Sequence, residues 1–129
     1  MATLTAQQVK ELSKHFFLVA QSLTQFREAR WDALSKEQHQ QLSRLQWSVY
    51  NTTDDLLALS AVMALDEVQE SLRQINEATQ SANKTIEATD DVDRVISIVT
   101  QVVRLGGAVL SQSPLAIISA LADLTSLTA

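Results

Sequence analysis

The sequence predicts an all-α fold, an antiparallel bundle of long amphipathic helices closed by an apolar helical hairpin at the carboxyl end. Three observations carry that expectation. The 129 residues include one Pro and two Gly, far too little turn chemistry for sheets and irregular loops. Apolar residues recur at alternating spacings of three and four along most of the chain, the period of one helix face. Charge is segregated: Arg104 and Asp123 are the only charged side chains in residues 95–129, and the other 23 lie in the first 94. A segment so poor in charge needs cover from its own bundle, from another subunit or from lipid. The length suits a single helical domain over 1–129, and an apolar content of 46% supplies a core.

The first helix is expected over 5–31. Thr5-Ala6-Gln7-Gln8 has the capping-box pattern of a hydroxyl followed three residues later by an amide. Val9, Leu12, Phe16, Val19, Leu23 and Phe26 form one stripe, with Phe17 off it as the mark of a second contact face. A short connection is expected at 32–34, since Ser35-Lys36-Glu37-Gln38 repeats the capping-box pattern.

A long second helix is expected over 35–88, which contains neither Gly nor Pro. Leu42, Leu45, Val49, Thr52, Leu56 and Leu59 hold the three-four spacing. A dense run from Leu56 to Leu65 reads as buried on most sides. The stripe then resumes in shifted phase with Leu65, Val68, Leu72, Ile75, Thr79, Ala82 and Ile86. Unbroken, this helix would be a rod of about 80 Å at 1.5 Å per residue. Its weak point is 51–54, Asn-Thr-Thr-Asp, whose short polar side chains compete for backbone groups.

A third helix is expected over 90–111, opened by Thr89-Asp90-Asp91-Val92-Asp93, with a hydroxyl cap and carboxylates at the positive end of the helix dipole. It carries Val92, Val95, Ile96, Val99, Val102, Val103, Leu105 and Val109. A short fourth helix over 114–127 begins at Ser113-Pro114, a cap followed by Pro at the first helical position. Leu115, Ile117, Ile118, Leu121 and Leu124 make it apolar.

The candidate functional residues cluster in this hairpin. Arg104 and Asp123 stand at nearly the same height on either side of the reversal. They are expected either to pair across the hairpin or to face solvent separately. Gly107 with Ser111, or Gly106 with Ala108, is expected to let two helices approach closely, as small residues do at apolar interfaces, and Pro114 to set the start of the last helix. Arg104-Leu105-Gly106-Gly107 is too short and too far from a strand for a phosphate loop.

No catalytic, cofactor-binding or metal site is expected. His15 lies four residues from Glu11, but the helical Glu-x-x-His and His-Glu-x-x-His metal patterns are absent. His39 reads as surface. Counted from Asp90, a calcium loop would need Gly and Glu where Val95 and Gln101 stand. There is no Cys, hence no thiol chemistry or thiolate zinc site. A net charge of −5, without a basic stripe, argues against nucleic acid as a partner. Residues 1–8 lack the basic region and apolar run of a secretory signal, so a cytoplasmic location is expected.

Two function classes remain. The favoured expectation is a non-enzymatic interaction or scaffold protein, self-associating through apolar helix faces or binding a helical partner. The alternative is a membrane-active protein. Long helices with a hydrophobic hairpin resemble, at the level of architecture, α-helical pore-forming toxins, and that resemblance implies insertion of 95–129 into lipid. No stretch reaches the 18 apolar residues of a simple spanning helix.

Overall fold

With almost no Gly or Pro to interrupt it, the described part of the chain is helical along its three-four stripes. A computed structural model describes residues 6–58, 72–111 and 113–128. Five α-helices occur among the described residues: α1 (Ala6–Ala29), α2 (Lys36–Ala58), α3 (Leu72–Ala88), α4 (Val92–Leu110) and α5 (Pro114–Thr128). They form an all-α bundle.

The helix starts follow local chemistry. Ser35 and Gln38 form the expected capping box: Ser35 N donates to Gln38 Oε1 at 2.8 Å and Gln38 N donates to Ser35 Oγ at 3.1 Å. Two otherwise orphaned amides are thereby satisfied. At α4 the cap is Asp91, whose carboxylate accepts from Asp93 N and Arg94 N. Thr89, expected as the cap, instead accepts from Asp91 N at 3.2 Å, and the helix begins at Val92. Thr5, the expected first cap, lies outside the described residues.

The first connection is longer than expected. α1 ends at Ala29, and a 3-10 turn at Trp31–Ala33 leads to Leu34, which is extended and buried. Turning that leucine into the core ends α1 two residues early.

The 35–88 rod requires correction. Its 51–54 weak point is helical, because Thr52 and Thr53 hydroxyls donate to Ser48 O and Val49 O, both at 2.9 Å. The polar side chains bond back onto the helix rather than competing with it. Yet a straight helix would set residues 39 and 89 about 75 Å apart. Instead His39 packs against Trp31 in a tilted ring contact, with ring centroids 4.2 Å apart, while Arg30 donates to Thr89 O at 3.2 Å and pairs with Asp90. Both ends of the expected rod therefore meet the end of α1, and α2 and α3 run in opposite directions. Leu59, Leu65 and Val68 and most of the dense run lie outside the described residues, as do the side chains of Val9 and Leu72.

Contacts fix the remaining directions. α1 runs antiparallel to α2, with Phe17 beside Tyr50 and Arg27 bonded to Gln46. It runs parallel to α3, where His15, Ser22 and Arg30 meet Gln80, Asn83 and Asp90 in order. The bundle is thus up-down-up-down-up: neighbours in sequence are antiparallel, and α1 with α3 makes a parallel seam. α4 packs on α2 and α3, and α5 packs on α4 and α3.

The predicted stripes meet in one core. Leu12, Phe16, Val19 and Leu23 of α1 face Leu42, Val49 and Leu56 of α2, Ile75 and Ile86 of α3, and Val95, Val99, Val102 and Leu105 of α4. Thr79 is fully buried within α3 and satisfies its hydroxyl on Ile75 O at 2.7 Å, removing the penalty of an unpaired buried donor.

Candidate functional site

The α4–α5 hairpin holds every residue singled out from the sequence. Its turn is satisfied locally. Ser111 N donates to Gly107 O at 2.9 Å, and Ser113 N to Ala108 O at 3.3 Å. Ser113 Oγ accepts from Ala116 N at 3.3 Å, so Ser113 caps α5. Pro114 occupies the first helical position, where a missing amide costs nothing.

The two glycines differ. A Cβ built on Gly106 would lie 2.3 Å from Thr52 Cγ2 and 3.4 Å from Phe16 Cε1. Gly106 is therefore where α4 touches α2, with the α1 core behind it. A Cβ on Gly107 would meet nothing within 4 Å. Gly106 is the close-packing residue and Gly107 is on the surface.

Arg104 and Asp123 do come together across the hairpin, Nη1 to Oδ2 at 3.4 Å, and Arg104 Nη1 also donates to Gln101 Oε1 at 3.0 Å. Both side chains are about half exposed, at 53% and 50%. The pair sits at the edge of the apolar arm and clips the two helices from outside. Arg94 does the same at the other end, donating to Leu127 O at 3.2 Å, a cation on the free carbonyls of a helix C-terminus.

The feature that sequence reasoning missed is the second face of α5. Ile117, Ala120, Leu121 and Leu124 pack inward and are buried. Leu115 is 81% exposed and Ile118 is 59% exposed. The outward face continues through Ala122, Thr125 and Ser126, and Asp123, its one charge, is engaged by Arg104. α4 shows no such excess: its exposed positions are Asp93, Arg94, Ser97, Thr100, Arg104 and Gly107. Between α5 and α3 runs a groove of about 500 Å³ floored by Ala78 and Leu121 and edged by Gln74, Ser81 and Thr125.

A second exposed apolar feature lies on α1 and α2. Phe17, the residue off the predicted stripe, is partly exposed and stands 5.8 Å from Tyr50, which lies edge-on to Trp47 at 6.3 Å. Trp47 is 67% exposed.

His15 faces α3, with Nε2 3.4 Å from Gln80 Nε2. Its pKa is lowered, chiefly because burial disfavours the imidazolium. Glu11 opposes that shift and Lys14 adds to it. Among the described residues no three His, Asp or Glu side chains gather to hold a metal ion. No helix of the described residues is long and apolar enough to cross a membrane. No protein-family model matches this chain, and neither a curated protein nor a solved structure was found to be similar to it.

Proposed function

We propose that the protein is a non-enzymatic helical-bundle interaction protein that self-associates, with the outward face of α5 as its contact. The observation that carries this reading is the exposure of Leu115 and Ile118 at neighbouring positions on a helix already packed on its other side. Complete burial of such a side chain contributes about 1.5–3 kcal/mol. At their exposures the two together offer about 2–4 kcal/mol per copy.

A second copy of the same face is the occupant that the chemistry suits. With a net charge of −5, copies repel one another in general, and they approach most easily through a neutral surface. The face is also graded in size, with Leu115 and Ile118 near its start and Ala122 and Ser126 further along. An antiparallel pairing of two α5 helices seats large residues against small ones, as two-fold symmetry allows. Four apolar side chains give about 4–8 kcal/mol against an association cost of about 4–15 kcal/mol. The patch anchors an interface that must extend onto its neighbours.

Sedimentation equilibrium tests the reading. The expected mass is at least twice 14.2 kDa, falling to the monomer value in Ile118→Glu with unchanged helicity. A monomeric wild-type chain at high concentration would overturn it. Flotation of wild-type protein with anionic vesicles, lost in the same variant, would favour lipid as the cover instead.

A further inference from the structure

Apart from the α5 face, α1 and α2 form a groove of about 380 Å³ lined by Arg27, His39, Gln40, Ser43 and Arg44. Every one of these side chains carries a hydrogen-bond donor and none is a carboxylate. That is unusual placement in a chain with fifteen acidic and ten basic residues. Elsewhere among the described residues Arg30 pairs with Asp90 and Arg104 with Asp123, and Arg94 bonds the Leu127 carbonyl. Here Arg27 has, among the described residues, only the neutral amide oxygen of Gln46 as a hydrogen-bond partner, at 2.9 Å. The Arg44 side chain has no hydrogen-bond or ion-pair partner among the described residues.

One further atom points the same way. Arg27 Nε is a buried donor that makes no hydrogen bond among the described residues, whereas His39 Nδ1, also unbonded, is left an acceptor once Nε2 donates to Trp31 O and gives an anion nothing. Trp31 lies over both groups: its ring centroid is 4.2 Å from that of His39 and 5.8 Å from Arg27 Cζ. His39 Nε2 meets Trp31 O at 2.9 Å, which holds the imidazole against the turn. Residues 39, 40, 43, 44 and 47 share one face of α2, so the exposed Trp47 stands one turn beyond Arg44 at the rim.

We propose that this groove binds a phosphate-class oxyanion, gripped between the guanidinium groups of Arg27 and Arg44 with Gln40 and Ser43 donating beside them. Two forks of N–H donors from facing helices match the several acceptor oxygens of such a group. Trp31 is the group the ligand would nudge or stack on, and Trp47 offers a second aromatic surface for a ring attached to the phosphate.

Isothermal titration and tryptophan fluorescence on the full chain test this, using inorganic phosphate and adenosine monophosphate at low ionic strength. The expected result is saturable one-to-one binding of both, with a change in indole emission and at least tenfold weaker binding in Arg44→Gln. Arg44 is exposed and makes no side-chain bond among the described residues, so its loss leaves the fold intact, which circular dichroism would verify. Monophosphate binding several-fold tighter than phosphate identifies a ring-bearing ester as the source; equal affinity identifies free phosphate. The proposal is overturned if sodium chloride at matched ionic strength gives the same response, or if folded Arg44→Gln binds as the wild type does.

Discussion

Gly106→Ala is expected to destabilise the protein even though the substitution favours a helix. Ala in place of Gly in a helix interior contributes about 1 kcal/mol. At Gly106 the added methyl would stand 2.3 Å from Thr52 Cγ2, against an ordinary contact of 3.4–4 Å, so α2 and α4 must part by about 1 Å or Thr52 must turn. Turning is opposed, because Thr52 is β-branched and its hydroxyl bonds Ser48 O at 2.9 Å. Overpacking of this kind costs about 1–3 kcal/mol. Toward the upper end of that range, the net effect is a loss of about 1–2 kcal/mol. Urea denaturation at fixed protein concentration reads it directly. Thr52→Ser removes the obstructing methyl and keeps the hydroxyl. In that background Gly106→Ala should be neutral or stabilising, a coupling of about 2 kcal/mol by double-mutant cycle. Gly107→Ala, with nothing near its Cβ, should stabilise by up to about 1 kcal/mol. Equal stabilisation at both glycines would refute the close approach of α2 and α4.

Other perturbations have equally definite outcomes. Reversal of Arg104 or Asp123 alone should cost less than about 1 kcal/mol, since both are half exposed, and reversing both should recover it. A loss above about 3 kcal/mol from either single reversal would mean a buried pair. His15 has a folded pKa below its unfolded value, so its contribution is complete above about pH 6.5 and is lost as pH falls through that value toward the folded pKa. Denaturation between pH 7.5 and 5.5 should show that decline, and His15→Gln should flatten it; an unchanged slope would remove His15 as the cause. Ser35→Ala should cost about 1 kcal/mol through the lost cap of α2, and no loss in thermal melting would contradict that role.

Much of this architecture was legible in the sequence wherever two signals agreed. The Ser35–Gln38 cap precedes a clean stripe, and both are realised. The height match of Arg104 and Asp123 needed only the rise per residue and the reversal before Pro114. Direction within 35–88 was illegible because no Gly or Pro interrupts that stretch. Periodicity records which face is buried, and it does not record which way a chain later turns. The glycines could not be ranked either: Gly106 and Gly107 differ only in whether Thr52 stands opposite. α5 posed the hardest case. With apolar residues on both sides, its sequence has no polar face to mark the outside, so Leu115 and Ile118 read as core beside Ile117 and Leu121. The Arg27–Arg44 groove was invisible for a related reason, since it assembles from helices whose basic residues are scattered singly.

Side-chain footprinting of α5 by hydroxyl radicals, over a range of protein concentrations, tests the central claim most directly. Oxidation of Leu115 and Ile118 should fall as the mass doubles, while the exposed Trp47 on α2 stays as reactive as before. Undiminished labelling of both α5 residues in the assembled state, or protection confined to Trp47, would contradict the account.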